Sequence, residues 1–212
     1  KTFLAIVPAR GGSKRLPRKN VLNLHGKPLV TWSINAGLNS KYVDKVVVTS
    51  DDDEVLGLAE GAGVLAINRP AELSHDTATT FDTVRHTIEN VNYYDYIVLL
   101  QPTSPLRTSH HIDEAIELLI TLKSDAIISV SEVDHSPLWC NTLPDDKNMN
   151  YFLKSKVKNT RSQDLDKYFR LNGAIYICET DKLLKEEGFF LKNSIFAYKM
   201  DKKISIDIDD KF

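Results

Sequence analysis

Short runs of β-branched and aliphatic residues, separated by amphipathic stretches, constrain this chain more than any other feature. Residues 3–8, 45–49, 64–67, 96–100 and 126–130 read as buried strands, because near-continuous apolar runs of this length suit strands covered on both faces. Between them, Ile112, Ala115, Ile116, Leu119 and Leu122 recur at helical spacing, with Asp113, Glu114 and Glu117 as the expected wet face. Pro28 suits the first turn of a helix carrying Leu29, Trp32, Ile34 and Ala36. Alternating strands and helices predict an α/β fold with a doubly wound, mostly parallel sheet. Ligands of such sheets sit at the carboxyl ends of the strands, so the functional loops should follow Pro8, Thr49, Ile67 and Leu100.

The alternation fails over 132–170, a polar segment with Pro137, Pro144 and a Lys/Asn-rich stretch, which reads as an insertion that leaves and re-enters the core. Strand patterning resumes at 173–178, 195–199 and 204–208. A chain of 212 residues with 42% hydrophobic and 26% charged residues is ordinary for one globular domain, here 1–212. No run approaches the length of a membrane span. Cys140 and Cys178 form neither a CxxC nor a Cys/His metal spacing, which argues against a disulfide framework and structural zinc and fits a cytoplasmic setting.

A net charge of -2 gives no global reason to expect nucleic acid or an anionic membrane as partner, but the charge is unevenly spread. No acid precedes Asp44, while Arg10, Lys14, Arg15, Arg18 and Lys19 cluster directly after the first strand. In Ala9-Arg10-Gly11-Gly12-Ser13-Lys14-Arg15-Leu16-Pro17-Arg18-Lys19-Asn20, two glycines let backbone N–H groups approach an anion, and Arg10, Lys14 and Lys19 can neutralise phosphate oxygens. Neither GxxxxGK[ST] nor GxGxxG matches. By itself the loop reads equally as a solvated basic turn.

This run resembles the signature loop of the acylneuraminate cytidylyltransferases, the CMP-sialic acid synthetases, and the likeness continues in blocks through nearly the whole chain. The resemblance implies a Rossmann-like nucleotidyltransferase that joins CTP to an acidic nine-carbon sugar, releases pyrophosphate with Mg²⁺ as cofactor, and forms homodimers through a protruding arm at 132–170. It implies that Arg10, Lys14, Lys19 and Asn20 contact the triphosphate and ribose, with Gly11, Gly12 and Ser13 nearby, and that Lys14 and Lys19 are catalytic.

The block Arg69-Pro70-Ala71-Glu72-Leu73-Ser74-His75-Asp76-Thr77 follows a strand. Taken alone, Ser74 or Asp76 would cap a helix beginning near Thr79, and Arg69 would pair with Asp76 or Glu72. The resemblance instead makes Arg69, with Ser74 and Thr77, a nucleotide contact. Gln101-Pro102-Thr103-Ser104-Pro105-Leu106-Arg107 lies just beyond an apolar strand and reads as a rigid turn; the resemblance makes Gln101 a contact to the acceptor sugar and leaves Arg107 as a structural residue.

At the far end, Ser205-Ile206-Asp207-Ile208-Asp209-Asp210 alternates as a strand does. That pattern would put Asp207 and Asp209 on one face with Cα atoms about 7 Å apart, and Asp210 on the other. Such acids can be a solvated edge or can hold Mg²⁺, which takes one or two carboxylates with phosphate oxygens and water. The resemblance assigns the metal, and a catalytic role, to Asp207 and Asp209. No dedicated general base stands out, and metal-lowered acidity of the sugar hydroxyl is the expectation.

For the sugar, the resemblance points to Arg170, Asn172 and Tyr176 in Phe169-Arg170-Leu171-Asn172-Gly173-Ala174-Ile175-Tyr176, and to a paired-aromatic wall at Phe189 and Phe190. Two positions depart from the pattern: Ser162 follows Arg161 where the family has a second arginine, and Trp139 stands where some members have lysine. Arg161 or Arg170 must then take the sugar carboxylate, or the acceptor is a related nonulosonate such as legionaminate or pseudaminate. The rivals are the cytidylyltransferase for the eight-carbon sugar Kdo, whose loop shares an arginine-leucine-proline run, and a catalytically silent nucleotide-binding module.

Overall fold

The computed structural model describes residues 1–212 apart from Lys14, Asp76, Ser155, Lys156, Asn159, Ser162, Gln163, Lys211 and Phe212. Strand β1 (Phe3–Pro8) is central: Phe3, Ala5 and Val7 face one side of the sheet, Leu4 and Ile6 the other, and all five are buried. On one flank β1 pairs in parallel with β4 (Lys45–Ser50), which pairs in parallel with β5 (Leu65–Asn68). On the other flank β1 pairs in parallel with β6 (Tyr96–Leu99).

The sheet continues from β6 to β8 (Phe169–Glu179), which runs antiparallel, then to β7 (Ala126–Glu132) and β9 (Ile195–Met200), giving the order β5-β4-β1-β6-β8-β7-β9. A two-stranded ribbon, β2 (Asn23–Leu24) with β3 (Lys27–Pro28), stands apart. Helices α1 (Leu29–Leu38), α2 (Asp53–Gly61) and α4 (Ser109–Leu122) cover the face that includes Val7, and α3 (Thr80–Glu89) and α5 (Thr180–Glu186) the face that includes Ile6. The expected doubly wound, mostly parallel sheet is therefore present. The chain moves outward from β1 on one side, then returns to its other side at β6, so the crevice between the ends of β1 and β6 is the switch point where such folds take ligands.

Four local expectations need correction. Pro28 precedes the first turn of α1 as its cap, with extended ψ of 142°, instead of lying inside it. Thr79, not Ser74 or Asp76, caps α3: its hydroxyl takes the Asp82 N–H, and the Asp82 carboxylate reaches back to the Thr79 N–H. Leu122, expected on the buried stripe of α4, is 43% exposed. Asp113, expected on the wet face of α4, is buried and accepts hydrogen bonds from Ser40 Oγ at 2.6 Å and Lys41 N at 3.0 Å, tying α4 to the turn before β4.

The polar 132–170 segment departs from the end of β7 and returns at the start of β8, where Glu132 and Phe169 are paired and Val133 N donates to Tyr168 O at 3.0 Å. It is a long excursion between two antiparallel neighbours. Replacing Asp113 with Ala should leave the Ser40 and Lys41 donors without their partner and cost roughly 1–3 kcal/mol. A shift of the urea midpoint at constant slope measures that loss; an unchanged midpoint refutes the tie.

Candidate active site

Directly after β1 the chain is held from two sides. Ala9 N donates to Thr49 O at 3.0 Å, Ser50 Oγ donates to Ala9 O at 2.6 Å, and Asn20 Nδ2 donates to Arg10 O at 2.8 Å. Asn20 is buried, and its Oδ1 has no hydrogen-bond partner among the described residues. Gly11 relieves a tight contact: a Cβ there would lie 3.0 Å from Asp52 Oδ2 and 3.1 Å from Asp52 Cβ. Gly12 has open space around it, and Ser13 Oγ accepts from Leu16 N at 3.4 Å, turning the loop back. Lys14 lies outside the described residues.

A cleft of about 290 Å³ opens at the switch point, lined among others by Arg10, Lys19, Asn20, Arg69, Gln101 and Thr103. Arg69 is buried, donating from Nη2 to Thr49 O at 2.7 Å, and so pairs with neither Glu72 nor, in any described contact, another acid. Burial pushes its guanidinium down to about 10; Asp51 works to raise it and Arg10 to lower it. Ser74 turns onto its own loop, its Oγ donating to Pro70 O at 3.3 Å, and neither it nor Thr77 lines the cleft. His75, Thr79, Thr80 and Thr83 do line it, and sequence reasoning missed all four. The legible signal was positional: Thr79 and Thr83 sit one helical turn apart at the start of α3.

The acidic segment is not a strand. After a 3-10 turn at Lys202–Ile204, capped by Asp201, residues 205–209 pair with no strand, and Ile208 N donates to Thr103 O at 2.8 Å. The alternating isoleucines imitate a half-buried strand, but Ile206 is 51% exposed and the neighbouring sheet positions beside β6 are already filled by β1 and β8. The expected opposite facing of Asp210 fails with the strand: Asp207, Asp209 and Asp210 all line a second cleft of about 800 Å³, which Lys19 also lines. Asp209 accepts from Lys19 Nζ at 2.8 Å and pairs with Arg15 at 3.1 Å. The Lys19 hydrogen bond, opposed by burial and supported by the charges of Lys19 and Arg15, holds its carboxyl below the usual range.

Of the expected sugar contacts, Asn172 is instead an internal node. Its Oδ1 takes Ser129 Oγ at 2.6 Å and Ala174 N at 3.2 Å, while its Nδ2 reaches Met200 Sδ at 3.3 Å and Ser205 Oγ at 3.0 Å, so no donor or acceptor remains for a ligand. Arg170 also serves the acidic segment, donating to Ser205 O at 2.9 Å. Together they fix where the chain starts toward Asp207. Tyr176 packs edge-on against Phe189 and Phe190 at 5.7 and 6.4 Å between ring centres. Burial, then the charge of Asp207, raises its phenol pKa. Phe189 belongs to the core, whereas Phe190 is 61% exposed. Arg161 pairs with Asp164 at 3.2 Å on the excursion and lines neither cleft; Ser162 lies outside the described residues.

Gln101 reaches the cleft over Gly173, whose φ of 74° and missing Cβ make room: a Cβ there would lie 3.0 Å from Gln101 Oε1. Arg107 locks this arrangement from within. It is 1% exposed and donates to Ala174 O at 3.2 Å, Ser33 Oγ at 2.7 Å and Gln101 O at 3.1 Å. Burial alone pushes its guanidinium down to about 9, and Nη1 has no partner among the described residues. Lysine cannot reproduce the fork, so Arg107→Lys should lower stability by roughly 1–3 kcal/mol. Chemical denaturation checks this; wild-type stability would remove Arg107 as the lock.

A family model described as cytidylyltransferase matches residues 4–211. An N-acylneuraminate cytidylyltransferase of Escherichia coli is 38% identical over 210 residues, covering 99% of this chain and 49% of the relative. A pseudaminic acid cytidylyltransferase of Campylobacter jejuni is 35% identical, covering 97% of this chain and 90% of the relative. The chain spans about half the length of the first curated relatives it matches. Among solved structures, a CMP:2-keto-3-deoxy-manno-octonic acid synthetase complexed with CTP superposes with a TM-score of 0.71 at 18% identity, covering 95% of this chain and 90% of the other, a likeness of fold.

Proposed function

The chain belongs to the cytidylyltransferase family, and on that premise we propose that it transfers CMP from CTP to the anomeric hydroxyl of a nonulosonic, sialic-type acid. The observation that carries this reading is the meeting of Lys19 with Asp209 beside the crevice between β1 and β6: the phosphate-type loop and the acidic segment share one location although they lie at opposite ends of the chain. A solvated basic turn would not need Asn20 buried beneath it or Arg69 buried beside it. Retention of the loop cations together with Asp207 and Asp209 argues against a silent module.

The sugar hydroxyl oxygen attacks the α-phosphorus and gives up its proton to solvent water; the new bond forms as the bond from the α-phosphorus to the bridging oxygen breaks, and pyrophosphate leaves with the electron pair. Lys19, Arg10 and the loop amides neutralise charge on the phosphates as it shifts toward the leaving group. Asn20, which lines the cleft and braces the Arg10 carbonyl, stands beside the place proposed for the ribose. Gln101, held over Gly173, is placed to orient the acceptor. Arg69 and the threonines at the start of α3 form the wall proposed for cytosine.

No three-ligand metal cluster occurs among the described residues, but the donor set fits Mg²⁺ shared with substrate phosphates, which needs one or two carboxylates. Asp207 and Asp209 would hold it, and it would supply positive charge to the phosphate oxygens and acidity to the hydroxyl. The excursion at 132–170 exposes Leu143, Met149 and Tyr151, which supports an arm that joins two copies as a homodimer. We place the reaction in the cytoplasm, as a single catalytic domain over 1–212.

Pyrophosphate release from CTP, measured across N-acetylneuraminate, legionaminate, pseudaminate and Kdo, tests the reading; turnover with a nine-carbon acid is expected, and turnover with Kdo alone overturns the acceptor class. In Lys19→Ala, folding should persist while kcat/KM for CTP falls about 100-fold or more. Wild-type kinetics in that folded variant would remove the loop from the mechanism. Asp209→Asn should raise the Mg²⁺ concentration needed for half-maximal rate, and an unchanged titration would exclude Asp209 as a ligand.

A further inference from the structure

Of the acids that follow β4, Asp51 and Asp52 contact the phosphate-loop segment, and the fold treats them differently. Asp52 is committed to structure: it caps α2, accepting from Glu54 N at 2.9 Å, and receives Arg18 Nη2 at 3.1 Å. Burial opposes its charge, but the Arg18 hydrogen bond and the amides of Glu54 and Val55 outweigh it and hold the carboxyl low. Asp51 instead turns to the loop itself. Its Oδ1 accepts the Gly11 N–H at 2.9 Å, and its charge helps sustain that of buried Arg69, which Arg10 opposes.

A backbone N–H in a glycine-bearing loop after a strand is the type of donor such loops offer to phosphate oxygens. Asp51 therefore places a carboxylate on a phosphate-type donor, within electrostatic reach of buried Arg69. We infer that Asp51 is a built-in anion that competes with ligand phosphates for the Gly11 amide and for the field of Arg10 and Arg69, and so sets how readily pyrophosphate leaves. It acts through the loop, as a positioning residue. The inference rests on the reading of this loop as a triphosphate site.

The sign of the effect separates this role from a structural one. Asp51→Asn keeps an oxygen able to accept the Gly11 N–H and removes the charge. If Asp51 only braced the loop, the change would weaken phosphate binding or leave it alone. If it competes, binding tightens, by about three- to tenfold for one partly screened charge.

The experiment is titration calorimetry of inorganic pyrophosphate and of CTP into the wild-type chain and Asp51→Asn, at low and at high salt, with circular dichroism to establish folding. Expected are a pyrophosphate Kd about three- to tenfold lower in the variant, a gain that shrinks at high salt, and stronger product inhibition by pyrophosphate. An unchanged or higher Kd in folded Asp51→Asn overturns the inference while leaving the loop assignment intact. If the wild type binds neither CTP nor pyrophosphate, the loop assignment falls and the inference with it. Should Asp51→Asn not fold, Asp51→Ser, whose hydroxyl also accepts, is read by the same criteria.

Discussion

Four parallel strands, β5, β4, β1 and β6, end at one edge of the sheet, and the residues of the candidate nucleotide cleft depend on that shared edge. Each parallel strand must return across a face before the next begins, so the loops that follow them gather on the same side. Arg10 to Asn20 follow β1, Asp51 follows β4, Arg69 follows β5 and Gln101 follows β6. The acidic segment reaches this edge by another route. It leaves β9, is caught by Asn172 and Arg170 at Ser205, and docks Ile208 on Thr103 before Asp209 meets Lys19.

The interior beneath the site is unusually polar, and the energetics explain how that is tolerated. A buried hydrogen-bonding group left unmade costs about 1–3 kcal/mol, so Asn172 is fully paired, and Arg107 and Arg69 are tied to carbonyls and hydroxyls. Exceptions remain among the described residues, and of them Asn20 lines the cleft. Asn20 Oδ1 and Arg107 Nη1 have no partners among the described residues, and Arg107 keeps its charge with burial alone pulling its pKa down.

Much of this was legible from residue order. Strand β1 was read to its exact ends because its apolar run is continuous, and the loop after it because basic residues, glycines and a strand end coincide there. Burial of Asp113 was not legible: its partners, Ser40 and Lys41, come from a distant turn, and helical spacing alone marked it as wet. The resemblance makes Asn172 a sugar contact, and residue order does not reveal that Ser129 and Ser205 consume its amide. The segment with Asp207 and Asp209 imitated a strand through its alternating isoleucines, whereas sheet positions are allotted by tertiary pairing. For Thr79 and Thr83 the helical-turn spacing was legible, but not that it faces the cleft, which follows from how α3 packs on β1.

Whether the crevice between β1 and β6 performs CMP transfer is answered most directly by phosphorus NMR of CTP with an accepted nonulosonic acid. Cleavage between the α- and β-phosphates predicts pyrophosphate and a sugar-linked CMP phosphodiester in equal amounts, appearing together and only when the acid is present. Orthophosphate with CDP, or loss of CTP without a new phosphodiester, would contradict it.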